Sequence, residues 1–128
     1  MAASVRLWRD DGDKALRLLD DAIALATSEH ENLWIVALNH RAAMISTFLG
    51  KTELVKHYYQ ESLAFSPENP HALYGLAKVA KNQGELGLAK EYAARCHEAL
   101  MESDDFLRDA RLETLETLMK DWPSPRHY

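Results

Sequence analysis

Apolar residues recur at spacings of three and four along most of this chain, and no stretch alternates convincingly with the period of two that marks a half-buried strand. Over residues 14–26, Ala15, Leu18, Leu19, Ala22, Ile23 and Ala26 form one apolar stripe, with Asp20 and Asp21 on the other face. The next helix is expected to be capped by Ser28, with Glu31 three residues on at capping-box spacing. Its apolar positions are Leu33, Trp34, Leu38, Ala42, Ile45 and Leu49, and Gly50 stops it. A further helix begins near Thr52, carries Leu54, Val55, Tyr58, Tyr59 and Leu63, and ends before Pro67.

Asn69 followed by Pro70 reads as a cap and a first helical residue, because proline lacks only an N–H that has no partner there. Leu73, Leu76, Ala77 and Ala80 follow, and Gly84 closes the segment. Residues 85–101 carry Leu88, Ala89, Tyr92, Ala93, Cys96 and Leu100. A last helix opens after Ser103 or Asp104, with Phe106, Leu107, Ala110, Leu115, Leu118 and Met119, and residues 122–128 form a loose tail with two prolines. The expected fold is all-α, built of antiparallel helix pairs.

Two stretches of this pattern echo each other at a spacing of 34 residues. Ala43 corresponds to Ala77, Gly50 to Gly84, Leu54 to Leu88, Lys56 to Lys90 and Tyr58 to Tyr92. A period of this length signals stacked two-helix units that cannot bury their apolar faces alone. Residues 49–69 look like the second half of a tetratricopeptide repeat, and the unit as a whole resembles that family. The family's small residue falls on Val55, its aromatic on Tyr59, its next small residue and leucine on Ser62 and Leu63, and its closing proline on Pro67. The next unit matches through Leu76, Ala77, Gly84, Ala89, Tyr92 and Cys96, with Met101 where the closing proline would stand.

The resemblance covers roughly residues 13–121 and implies a short right-handed superhelical solenoid with a C-terminal capping helix. It divides a single domain, 1–121, into a half repeat at 13–28, a repeat with an extended first helix at 29–69, a repeat at 70–103 and a cap at 104–121. Ala15, Leu16, Leu19, Ala22 and Ile23 resemble a second helix, but lie 40 rather than 34 residues before their counterparts. The intervening helix or its loop must therefore be longer. The first helix of the first unit is expected to be a stub near residues 5–8.

Such arrays bind extended or helical peptides along the first helix of each pair. Carried onto this chain, the groove is lined by Ala37, His40, Met44, Thr47 and Phe48, then by His71, Tyr74, Lys78, Lys81 and Asn82. The aromatic and two cations of the second set suit a partner with a carboxylate and an apolar side chain. Where relatives clamp a peptide's terminal carboxylate with a Lys/Asn/Arg set, this chain has His40, Met44, Tyr74 and Gly75, so that ligand is not expected. The apolar edge formed by Ala15, Leu19 and Ala22 offers an alternative, self-association as a homodimer, unless Leu7 and Trp8 cover it.

Composition narrows the field further. The 128 residues carry a formal net charge of -5, with a pI near 5.6, which argues against a nucleic-acid or anionic-membrane binder. No apolar run reaches the roughly 20 residues needed to span a bilayer, and the first residues lack a secretory apolar region, so the cytoplasm is expected. Gly50-Lys51-Thr52 ends like a phosphate loop, but Ile45 stands where its first glycine should be. His30-Glu31 and His97-Glu98 begin a zinc-protease motif whose second histidine is replaced by Trp34 and Met101. The single cysteine, Cys96, falls on an apolar face as a buried, inert thiol. No catalytic set, metal or cofactor is expected, and the function read from the chain is a non-catalytic adaptor.

Overall fold

The structure is a computed structural model that describes residues 2–103 and 107–120, with side chains from residue 10 onward. Among these residues it contains six helices and no strand: α1 (Ala2–Ser28), α2 (Asn32–Phe48), α3 (Thr52–Phe65), α4 (Pro70–Asn82), α5 (Leu86–Met101) and α6 (Arg108–Lys120). Contacts divide the chain into two compact units, Met1–Pro67 and Glu68–Tyr128. In the first, α2 packs between α1 and α3; in the second, α5 packs between α4 and α6.

The 34-residue echo is visible in backbone hydrogen bonds. At the end of α2, Gly50 N–H donates to Thr47 O (3.1 Å) and Lys51 N–H to Ser46 O (2.9 Å). At the end of α4, Gly84 N–H donates to Lys81 O (3.1 Å) and Glu85 N–H to Ala80 O (2.9 Å). Both are Schellman closures, which place one residue in the left-handed region; Gly50 has φ 73° and Gly84 φ 78°. The turn then sends the chain back along its predecessor as an antiparallel neighbour.

The echo extends into the core. Asn39, Ala42, Ala43 and Ser46 of α2 are buried, as are Leu73, Leu76, Ala77 and Ala80, each 34 residues later in α4. Val55, Tyr59 and Ser62 of α3 likewise find buried counterparts in Ala89, Ala93 and Cys96 of α5. The volumes trade places. The α2–α3 pair buries Ala42, Ala43 and Ser46 with the larger Val55 and Tyr59, whereas the α4–α5 pair buries Leu73 and Leu76 with Ala89 and Ala93, so the larger side chains come from opposite helices of the two pairs. Buried Asn39 satisfies its amide within its own helix, donating to Ile35 O at 2.9 Å.

Several expectations need correction. The predicted stub is part of one continuous helix, since α1 runs from Ala2 to Ser28 through Gly12. A Cβ added to Gly12 would lie 2.8 Å from Leu49 Cδ2, so glycine leaves room for the Leu49 side chain against α1. Ser28 does not cap α2; it ends α1, and its hydroxyl donates back to Leu25 O at 2.8 Å. The chain turns instead at His30, φ 57°, with Glu31 N–H donating to Ala26 O at 2.9 Å. Glu31 occupies the N-cap position of α2 without a side-chain cap bond.

Asn69 does cap α4, its Oδ1 accepting from His71 N–H at 3.0 Å. The longer intervening helix is α2, at 17 residues against 13 for α4. Phe106, the side chains of Leu7 and Trp8, and the expected tail 122–128 lie outside the described residues.

Candidate functional site: an open apolar face on the first unit

At 100° per residue, Leu16, Ile23, Leu19, Ala26, Ala15, Ala22, Leu18 and Leu25 of α1 spread over about 180° of its circumference. On the first arc Leu16 and Ala26 are buried and Leu19 and Ile23 half-buried; at the far edge Leu18 and Leu25 are 69% and 64% exposed. The sequence pattern had merged these two arcs into one stripe. Polar ties fix which way the helix faces. Lys51 Nζ donates to Asp13 Oδ1 at 2.6 Å, and Tyr58 Oη donates to Asp20 Oδ1 at 2.7 Å, so one flank of α1 is held by α3 and the preceding turn.

α2 shows the same excess. Leu33 and Trp34, expected in the core, are 88% and 62% exposed, and the buried side is Ile35, Asn39, Ala42, Ala43 and Ser46. Its apolar residues run all round the helix, so spacing alone cannot pick the buried face. Between the uncovered sides of α1 and α2 lies a cavity of about 480 Å³ lined by Asp11, Gly12, Ala15, Met44, Ile45 and Phe48. Met44 is 56% and Phe48 67% exposed. Leu18 and Leu25 of α1 and Trp34 of α2 add exposed apolar side chains on the same two helices, a surface of a kind that globular proteins usually bury or use as an interface.

The expected groove residues therefore have different fates. Met44 and Phe48 line the cavity. Ala37 is exposed, and Thr47 is exposed with its hydroxyl donating to Ala43 O at 2.9 Å. His40 is half-buried, its ring 6.2 Å from that of Tyr59. Burial, followed by the charge of Arg41, holds the His40 imidazole below its ordinary value near 6.5 and keeps it neutral at physiological pH.

In the second unit His71, Lys78 and Asn82 are exposed and Tyr74 is half-buried. Lys81 is engaged, its ammonium donating to Leu118 O at 2.6 Å, where a cation satisfies a carbonyl in the last turn of α6. Cys96 is 1% exposed beside Pro70 O at 3.5 Å, and burial pushes its thiol up to about 11, so almost no thiolate is present at neutral pH.

Leu88, the echo of the half-buried Leu54, is 38% exposed and stands at the margin of the core. Among the described residues, no three His, Cys, Asp or Glu side chains gather as a metal site, and no helix is long and apolar enough to cross a membrane. No family model matches the chain, and no characterised protein matches it in sequence.

Proposed function

We propose that this chain is a non-catalytic protein–protein interaction module of tetratricopeptide type, an adaptor that holds an apolar helix face of a partner. The observation that carries this reading is the open α1–α2 face, with its cavity between Ala15, Met44 and Ile45 and its exposed Leu18, Leu25 and Trp34. A helix laid along two neighbouring helices buries its apolar stripe in the groove between them, which is how helical ligands are read.

The repeated core supports the family assignment, and with it come the short right-handed solenoid, the capping role of α6 and a cytoplasmic setting. The exposed His71 and Lys78 beside Tyr74 on α4 add a polar surface suited to a partner carboxylate.

Affinity capture from native lysate tests the proposal. Met44→Glu places a charge in the groove at an exposed position, so helicity and melting should be unchanged while partner recovery falls about tenfold or more. Tyr74→Ala with Lys78→Glu reports separately on the α4 face. Full recovery with both variants would remove the adaptor role from these surfaces.

A further inference from the structure

The α1–α2 face carries an acid, Asp11, and a base, Arg41, amid its apolar residues. Asp11 lines the cavity beside Met44 and Phe48. Arg41 shares the outer side of α2 with Trp34, Ala37 and Met44, and it lies seven residues from Phe48, two helical turns or about 10 Å away. Both are exposed, and among the described residues neither makes a hydrogen bond or ion pair. Asp11 thus belongs to the groove's lining, and Arg41 stands two turns back along α2 from Phe48 of that lining.

A surface with one positive and one negative site separated along an apolar strip is complementary to itself under a two-fold rotation. An axis through the strip between the two charges carries Asp11 of each copy over Arg41 of the other. Such an axis passes close to Ala15 and Met44, where a small residue leaves room and a flexible one fills it.

We infer that the occupant of the α1–α2 face is a second copy of this chain, docked about a two-fold axis through the groove. Reciprocal Asp11–Arg41 pairs close its two ends. The inference rests on the helix-binding role proposed above, and it names the partner of that same face. A parallel slide along the groove would leave both charges against apolar side chains. The pairs thus set register and orientation, while Leu18, Ala22, Met44 and their copies supply the buried area.

The test is sedimentation equilibrium of the full chain over a range of concentrations. The native chain should dimerise, and Asp11→Lys or Arg41→Glu should each weaken the dimer by about tenfold or more, because each turns two attractions into two repulsions. Mixing the two variants in equal amounts should restore a dimer, since the two altered charges then face each other and the two native ones do likewise. Circular dichroism of each variant should match the native chain.

A native chain that stays monomeric at every concentration overturns the inference, and leaves the face to a different protein or to residues of this chain beyond those described. So does a dimer indifferent to both charge changes, or an equimolar mixture that stays monomeric. The wider role fails differently. If the native chain is monomeric yet Met44→Glu still loses its captured partner, self-pairing falls and the helix-binding role stands.

Discussion

Tyr58 shows how one side chain serves both packing and polarity. It is 4% exposed in α3, and its hydroxyl reaches Asp20 of α1 at 2.7 Å. Burial first, then the neighbouring carboxylate, pushes the phenol up to about 12 from an ordinary 10.0. The unfolded chain gives up this proton near pH 10 while the folded chain keeps it. The contribution is thus complete below pH 10 and is lost as the pH climbs toward 12. Tyr58→Phe removes the hydrogen bond and the titration together. It should cost about 1 kcal/mol at neutral pH and flatten the decline between pH 10 and 12, as read from urea unfolding at several pH values. An unaltered alkaline decline in the variant would assign that loss to other groups. Ser62 and Cys96, buried at equivalent places in α3 and α5, make a complementary point: their common property is small size.

The turns between helices divide by what residue sits in the left-handed position. Gly50 and Gly84 take φ 73° and 78° with no steric cost, but His30 takes φ 57° with a side chain that disfavours it. His30→Gly should therefore stabilise the chain by about 0.5–1 kcal/mol, and Gly84→Ala should destabilise it by about 1 kcal/mol, both measured by chemical denaturation. The reverse pair of signs, with His30→Gly destabilising and Gly84→Ala stabilising, would contradict the closure geometry. The same contrast explains what was legible. Glycines at 50 and 84 announced their turns, and Asn69-Pro70 announced a helix start whose cap bond is present. The end of α1 carries no glycine, so Ser28 was read as a cap when the chain had yet to turn. Faces were harder to read than boundaries. α4 separates its apolar and polar sides, and Leu73, Leu76, Ala77 and Ala80 are all buried as expected. In α2 apolar residues surround the helix, and only its packing against two neighbours shows that Trp34 is outside and Asn39 inside.

For the molecule as a whole, the informative quantity is the apolar surface that folding leaves uncovered. A net charge of -5 makes copies of the chain repel one another, yet Leu18, Leu25, Leu33, Trp34 and Met44 all stand more than half exposed in the first unit. Native proteins seldom leave so many large apolar side chains of two neighbouring helices to water without a use for them. A dye that fluoresces in apolar surroundings, anilinonaphthalene sulfonate, should bind the dilute native chain, and Met44→Glu should dim it without changing the circular dichroism. Raising the protein concentration should also lower the signal per chain, because pairing through Asp11 and Arg41 covers the face that holds the dye. The Asp11→Lys variant, which pairs with itself more weakly by about tenfold or more, should hold its signal per chain to correspondingly higher concentration. A signal that is constant in the native chain and equal in both variants would mean that the dye reads some other surface. If the native signal falls at lower concentration than the variant's, the uncovered area and the charges of Asp11 and Arg41 belong to one interface. The apolar strip then supplies the drive to associate, and the charges decide which way round the copies meet.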